Sequence, residues 1–420
     1  MQVLPSSGTP ATRHNGGMSP AAVPTADSSL LVGGILRAEP ADFCVDEVPS
    51  YAPCGSGEHL FLHVEKTSLN TTTMMERIAR ALGVQPREVG HAGLKDRHAV
   101  TKQWISLPRA TAEAALSMNL PGIRVLSAIR HGNKLRIGHL LGNRFDILVR
   151  GVSPDAALQV HLALQRLMAE GLPNRHGAQR YGARGDNALI GAALVRNDSA
   201  ALVELLGTPV RGVESPRIIE ARTAFAARDA ARALDLFPRE FDLERHFATA
   251  WLRGQSAEQA MPNLPRQSAQ FLMNAWQSAL FDAVLQARLA RGMALLRGDV
   301  AMKLANGASF VVQDVALETP RREAFEIVPT GPLPGAKLLR PEHDARAVED
   351  DALRAAGCDP DALEVLPLTG ARRALLVRVQ DAEACADAAG VRLRFMLPAG
   401  SFATTLLAEF GVAERRGATA

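Results

Sequence analysis

The sequence predicts an α+β protein of two domains, and three observations carry that reading. Its 420 residues exceed the roughly 250–300 residues that one hydrophobic core can serve. Strand-like and helix-like segments interleave as far as Val149 and return near the C-terminus, without the regular βαβ rhythm of a doubly wound sheet. Between about Leu194 and Ala290 the character changes to Ala-, Leu- and Arg-rich helical sequence, clearest at Phe271, Ala275, Leu280, Val284 and Leu285.

Composition agrees with a soluble globular chain, at 47% apolar and 22% charged residues. The 47 basic and 44 acidic residues leave only +3, so total charge does not announce a nucleic-acid binder and local distribution has to decide. No apolar stretch approaches the ~20 residues of a membrane helix. Residues 1–29 are rich in Pro, Ser, Thr, Ala and Gly and lack apolar period, the pattern of a disordered tail. They also lack the basic start and apolar run of a secretory signal, which makes the cytoplasm the default location. The four cysteines, Cys44, Cys54, Cys358 and Cys385, form no C-x-x-C pair and no metal-like spacing with His. Reduced thiols and no zinc are expected.

Along the chain, Phe43 to Glu47 alternates apolar with polar as a half-buried strand does, and a second strand runs from Leu60 to Glu65. Asn70 and the following threonines supply caps ahead of Met74, Met75, Ile78 and Leu82, which share one helical face, and Gly83 marks the stop. Val100 to Leu107 is strand-like, Arg130-His-Gly-Asn133 reads as a turn, and Phe145, Ile147 and Val149 form one face of a further strand. Val391, Leu393 and Phe395 alternate with Arg392 and Arg394 in a last strand. Ser401 then caps a helix carrying Phe402, Leu406 and Phe410, closed by Gly411.

Two features could carry chemistry. From Arg124 to Arg150 six basic residues (Arg124, Arg130, Lys134, Arg136, Arg144, Arg150) face one acid, Asp146, and the acid-free stretch Arg175 to Arg184 places Arg180 and Tyr181 among glycines. Such segments either contact phosphate or form a solvated face. The second feature is Asp96, set among His91, Lys95, Arg97 and His98 after Gly90 and Gly93. A carboxylate kept charged by its neighbours can serve as nucleophile or base, or can belong to a surface ion-pair cluster. Gly331 to Lys337 resembles a phosphate loop only superficially, because Ala336 separates Gly335 from Lys337 and no Ser or Thr follows. H-E-x-x-H, G-x-S-x-G and G-x-G-x-x-G are all missing from the sequence.

Five blocks in order, Asp42-Phe43, Gly93-Leu-Lys-Asp96-Arg with Ala99-Val-Thr, Gly142-Asn-Arg-Phe145, Asn174 to Gly182, and Leu397 to Thr404, resemble the TruD family of tRNA pseudouridine synthases. The likeness runs from about Leu31 to Phe410. It implies a pseudouridine synthase catalytic domain with a mixed, mainly antiparallel sheet over residues 30–173 and 377–420. An inserted helix-rich TRUD domain would span 174–376, with an RNA cleft between the two. Arg175-His176 stands where the family more often has Tyr-Phe.

The same resemblance implies an isomerase that converts uridine to pseudouridine, for bacterial members at position 13 of certain tRNAs, with tRNA as partner and no cofactor or metal. Oligomeric state is not implied, and a monomer is the simplest expectation. By likeness Asp96 is the nucleophile and Arg37 pairs with it and orients it. Phe145 stacks on the target base, Asn143 holds the uracil edge, and Phe43 and Phe402 complete the pocket wall. Arg130, Lys134, Arg136 and Arg180 are the candidates for the RNA backbone. The alternative is a non-catalytic RNA-binding protein of the same fold.

Overall fold

The computed structural model describes residues 29–412, so the predicted N-terminal tail lies outside the described residues except for Ser29. The chain first builds a sheet from β1 (Phe43–Pro49), β2 (His59–Thr67), β3 (Gly90–His91), β4 (Val100–Pro108), β5 (Ile123–His131) and β6 (Leu140–Arg150). Helix α1 (Thr71–Ala81) follows β2, the short α2 (Ala112–Leu116) follows β4, and α3 (Ala157–Glu170) follows β6. A two-residue strand β7 (Leu172–Pro173) ends this part.

Next come α4 (Asn187–Val195), α5 (Ser199–Gly207), α6 (Pro216–Ala226), α7 (Ala230–Leu236), α8 (Asp242–Leu252), α9 (Ala257–Ala260) and the long α10 (Arg266–Ala290). Strands β8 (Val300–Lys303), β9 (Ser309–Val311) and β10 (Ile327–Leu333) then alternate with α11 (Val315–Glu323), before α12 (His343–Ala355) and β11 (Ala371–Ala374). The return brings β12 (Leu376–Val377), β13 (Gln380–Asp387), β14 (Gly390–Pro398) and α13 (Ala403–Ala408).

The large sheet has the order β13-β14-β6-β1-β4-β2-β5, with β3 pairing β4. Only β1 and β4 run parallel; every other pair in it is antiparallel. This is the mixed, mainly antiparallel sheet that the family resemblance implied. Two smaller sheets are β11-β10-β8-β9 and the pair β12-β7. The first of them puts strands inside the stretch expected to be helix-rich. Its strands β8 and β9 are only four and three residues long, too short for alternation to announce them.

The β12-β7 pair brings the two ends of the 174–376 segment side by side. Leu376 pairs with Pro173 and Val377 with Leu172, the Asn174 N–H donates to the Leu375 carbonyl at 2.9 Å, and the Asn174 side chain donates to Ala374. By spatial clustering the described chain forms two compact units. One is Ala178–Ala283 with Ala352–Ala362, and the other holds the chain up to Gly177, Val284–Asp351 and the chain from Leu363 on. The first is helical around Leu202, Leu206, Phe225 and Phe247. Its α4 and α10 approach so closely at Gly191 that a Cβ there would lie 2.0 Å from the Leu272 carbonyl oxygen.

In the second unit one core joins β1, β6 and β14 to α3 and α13 through Phe43, Ile147, Leu164, Phe395 and Leu406. Another joins β2 and β4 to α1 through Leu62, Ile105, Met74 and Ile78. The final helix starts one residue later than expected. Phe402, in extended conformation, is its N-cap residue and makes no side-chain cap bond, whereas Ser401 was the expected cap. Among the described residues no helix is long and apolar enough to cross a membrane.

The segment ahead of β1 is fastened to β6. Ile35 exchanges backbone hydrogen bonds with Arg150, and Arg150 grips the buried Asp42 carboxylate with two bonds of 2.8 Å. Burial pushes the Asp42 carboxyl up, but the Arg150 bonds and the Glu39 N–H outweigh it and hold the carboxyl below its ordinary value. The resulting stability is present above the unfolded-state value of about 3.9 and is lost as pH falls through the lower folded value. Arg150→Ala should therefore destabilise the protein at neutral pH, since it strands a buried carboxylate. In urea titrations the deficit should shrink towards about pH 2, where both proteins protonate the group.

Candidate active site

The loop Ala92–Ala99 carries Asp96 between β3 and β4, and its geometry follows from how it is tied down. Ala92 and Ala99 are buried at its ends. Gly90, just before it, sits where a Cβ would be 2.3 Å from the Leu135 carbonyl oxygen, so only glycine allows that approach. Lys95 points inward: its ammonium lies 2.6 Å from Glu47 Oε2, and both side chains are buried. Glu47 also accepts the Trp104 N–H. The Lys95 N–H donates to Thr71 Oγ1 at 3.0 Å, and that hydroxyl donates in turn to Gln103.

Asp96 turns the other way, with 52% of its side chain exposed. Arg37 Nη2 lies 3.5 Å from Asp96 Oδ1, and the same guanidinium sits over the Phe43 ring at 4.1 Å. Arg37 adopts φ 56°, a left-handed conformation that costs a non-glycine residue free energy. Lys66, fully buried on β2, donates to the Asp96 main-chain carbonyl at 2.7 Å. Burial pushes its ammonium down to about 8, with Asp96 opposing and Lys95 reinforcing that shift.

Phe43, Asn143 and Phe145 lie on one face of the sheet. Val45 pairs with Phe145 and Glu47 with Asn143, and on the other side of β6 these pair with Phe395 and Leu397. Phe145 is 7% exposed, packed flat on Phe395 at 5.2 Å and edge-on to Phe43 at 6.3 Å. Asn143 keeps a buried Oδ1 that has no hydrogen-bond partner among the described residues. Phe402 is 61% exposed, and its loop is held by the Ala399 N–H on the Leu141 carbonyl.

The basic candidates separate by what they already do. Arg130 donates to the carbonyls of Ala110 and Glu58, Lys134 to that of Arg87, and Arg180, in the helical unit, to Ser278. Arg136 is exposed. Of the other members of the basic run, Arg124 pairs with Glu65 and Arg150 with Asp42. The unbroken stripe suggested by the sequence is therefore partly neutralised in space.

Reading the sequence for chemistry missed Glu47, Lys66 and Thr71. The available signal was a charge at an inward-facing strand position: Glu47 follows Phe43 and Val45, and Lys66 follows Leu60, Leu62 and Val64 at the strand period. Two large cavities, of about 890 Å³ beside Lys102, Arg144 and Glu383 and about 600 Å³ beside Arg166 and Arg322, do not include Asp96. The Asp96 carboxylate is half exposed above a loop held by Lys66 and Thr71, and such a carboxylate can serve as nucleophile or base.

Comparison with known proteins finds the same arrangement of sequence elsewhere. The family described as tRNA pseudouridine synthase D (TruD) matches residues 26–410. The protein named tRNA pseudouridine synthase D from Geobacter metallireducens is 44% identical over 382 residues, 90% of this chain and 94% of the relative. Its namesake from Geobacter sulfurreducens is 42% identical over 90% of this chain and 93% of the relative. A crystal structure from Methanosarcina mazei, described as tRNA pseudouridine synthase D, superposes with a TM-score of 0.80 at 25% identity, covering 93% of this chain and 95% of that one. With the family match spanning nearly the whole chain and the fold shared along its length, this protein belongs to the TruD family of tRNA pseudouridine synthases.

Proposed function

We propose that this protein isomerises uridine to pseudouridine in tRNA, at uridine 13, with Asp96 as the nucleophile. The observation that supports this most is the exposed Asp96 carboxylate paired to Arg37, on a loop whose main chain is held from below. In the isomerisation the N1–C1′ bond breaks, the uracil turns, a C5–C1′ bond forms, and the proton lost from C5 is balanced by one gained at N1. Nothing is oxidised or reduced, so no cofactor is consumed. Residues 30–173 and 377–420 make up the proposed catalytic domain, and 174–376 the insert.

Within this reading Arg37 keeps Asp96 aimed and charged once RNA has displaced water. The target nucleotide has to leave its stack, at a cost of a few kcal/mol. Phe402 offers the open ring face that can repay part of this, while Phe145 serves as the floor beneath the base. The free Asn143 Oδ1 can accept the uracil N3–H, a contact that distinguishes uracil from cytosine, whose N3 bears no hydrogen.

Asp96→Asn should bind tRNA with near wild-type affinity and form no pseudouridine, measured by filter binding and by pseudouridine mapping of the same RNA. Activity in that variant would defeat the mechanism. The two rings should separate cleanly. Phe402→Ala loses stacking worth about 1–3 kcal/mol per base and raises KM with little change in unfolding midpoint, whereas Phe145→Ala opens the core at about 3–5 kcal/mol and is seen first in denaturation. Arg136→Ala should weaken tRNA binding and lower the slope of log affinity against log salt by about one, while Arg130→Ala acts mainly on stability.

A further inference from the structure

We propose that Lys66 is a positioning residue for the reaction: from β2 it holds the main-chain carbonyl of Asp96 and thereby sets where the carboxylate points. This rests on the reading of Asp96 as the nucleophile. Lys66 is fully buried, and its ammonium reaches two successive carbonyls, Asp96 at 2.7 Å and Lys95 at 3.5 Å. It occupies an inward strand position continuing Leu60, Leu62 and Val64, where an apolar side chain would avoid the cost of desolvating a charge. Among the described residues no carboxylate forms an ion pair with it to offset that cost.

The geometry explains why a cation stands there. Around the loop, Glu47 from β1 holds the Lys95 side chain, Thr71 from α1 holds the Lys95 N–H, and Lys66 holds the next carbonyl. Arg37 acts on the carboxylate itself, so Lys66 and Arg37 fix different atoms of one residue. A donor with several hydrogens on a long stem is suited to bridging two carbonyls from beneath. Thr101 and Gln103, buried on the neighbouring strand β4, are neutral, leaving Asp96 and Lys95 as the charges that act on it.

Because burial holds the Lys66 ammonium near 8, raising pH through that value removes the charge and weakens its grip. The test is steady-state kinetics on tRNA across about pH 6 to 10 for the wild type, Lys66→Met, Lys66→Arg and Asp96→Asn, with circular dichroism to confirm folding. Misplacing a reacting group by about 1 Å costs on the order of 100-fold. Lys66→Met should lose that much in kcat with KM for tRNA within about twofold. The wild type should lose kcat above about pH 8, and Lys66→Arg, whose charge persists, should move that decline upward.

Should Lys66→Met fail to fold, the wild-type and Lys66→Arg profiles decide alone: a decline that Lys66→Arg leaves in place overturns the proposal. Wild-type kcat in folded Lys66→Met overturns it as well, provided Asp96→Asn is inactive. An active Asp96→Asn instead brings down the reading of the site itself.

Discussion

The Glu47–Lys95 ion pair, at 2.6 Å and shut away from solvent, is the constraint on which the arrangement around Asp96 depends. Moving two charges into the interior costs several kcal/mol each, and mutual attraction recovers this only where the geometry is good and other bonds complete the shell. The pair is close and is joined to two further contacts. Glu47 also receives the Trp104 N–H, and Lys95 also commits its own N–H to Thr71. With Lys95 drawn inward, the loop is pinned beside Asp96, whose own side chain is half exposed. A hydrophobic pair could have filled the same space at less cost, but it would not have fixed the direction of the loop.

The sheet register extends this constraint to residues far apart in sequence. Glu47 opposes Asn143, which opposes Leu397, so strands β1, β6 and β14, far apart in sequence, meet side by side. Gly142 makes the approach possible, since a Cβ there would lie 2.2 Å from the Leu397 carbonyl oxygen. The segment ahead of β1 is bound at both its ends, through the Leu31 N–H on the Phe410 carbonyl and through Asp42 on Arg150. Arg37 lies between these anchors. Its left-handed backbone is therefore held by its surroundings, as a conformation of that cost requires.

Much of this was legible before the structure, for reasons that differ from element to element. Strands β1, β4 and β14 were found because each keeps one face in a core, and burial on one face writes a two-residue period into the sequence. The first residues of β6 were not found, because Gly142, Asn143 and Arg144 interrupt that period where the strand leaves the core and enters the site. Ser401 was read as a cap from its chemistry alone, whereas the helix begins after Phe402, whose backbone is extended and which serves as the N-cap residue. The resemblance pointed to Arg37 and Asp96 together, and the structure brings them to 3.5 Å. Glu47 and Lys66 escaped notice since a charge inside a strand pattern reads as a break in it, when each was a buried charge with a partner of its own, Lys95 for Glu47 and the Asp96 carbonyl for Lys66.

An open carboxylate sets a particular problem for a catalyst. Small-molecule enzymes exclude water with their own walls and so strengthen every electrostatic contact within. Asp96 is half exposed; in the proposed reaction the RNA completes the enclosure when its uridine is turned out and seated against Phe402. Any precision must then exist before the substrate arrives, and it can come only from underneath. That is where the buried groups are found. Glu47, Lys66 and Thr71 reach the loop from two strands and a helix, and none of them needs to touch the base. The split between a rigid charged foundation and an exposed aromatic rim follows from letting a macromolecular substrate close its own active site.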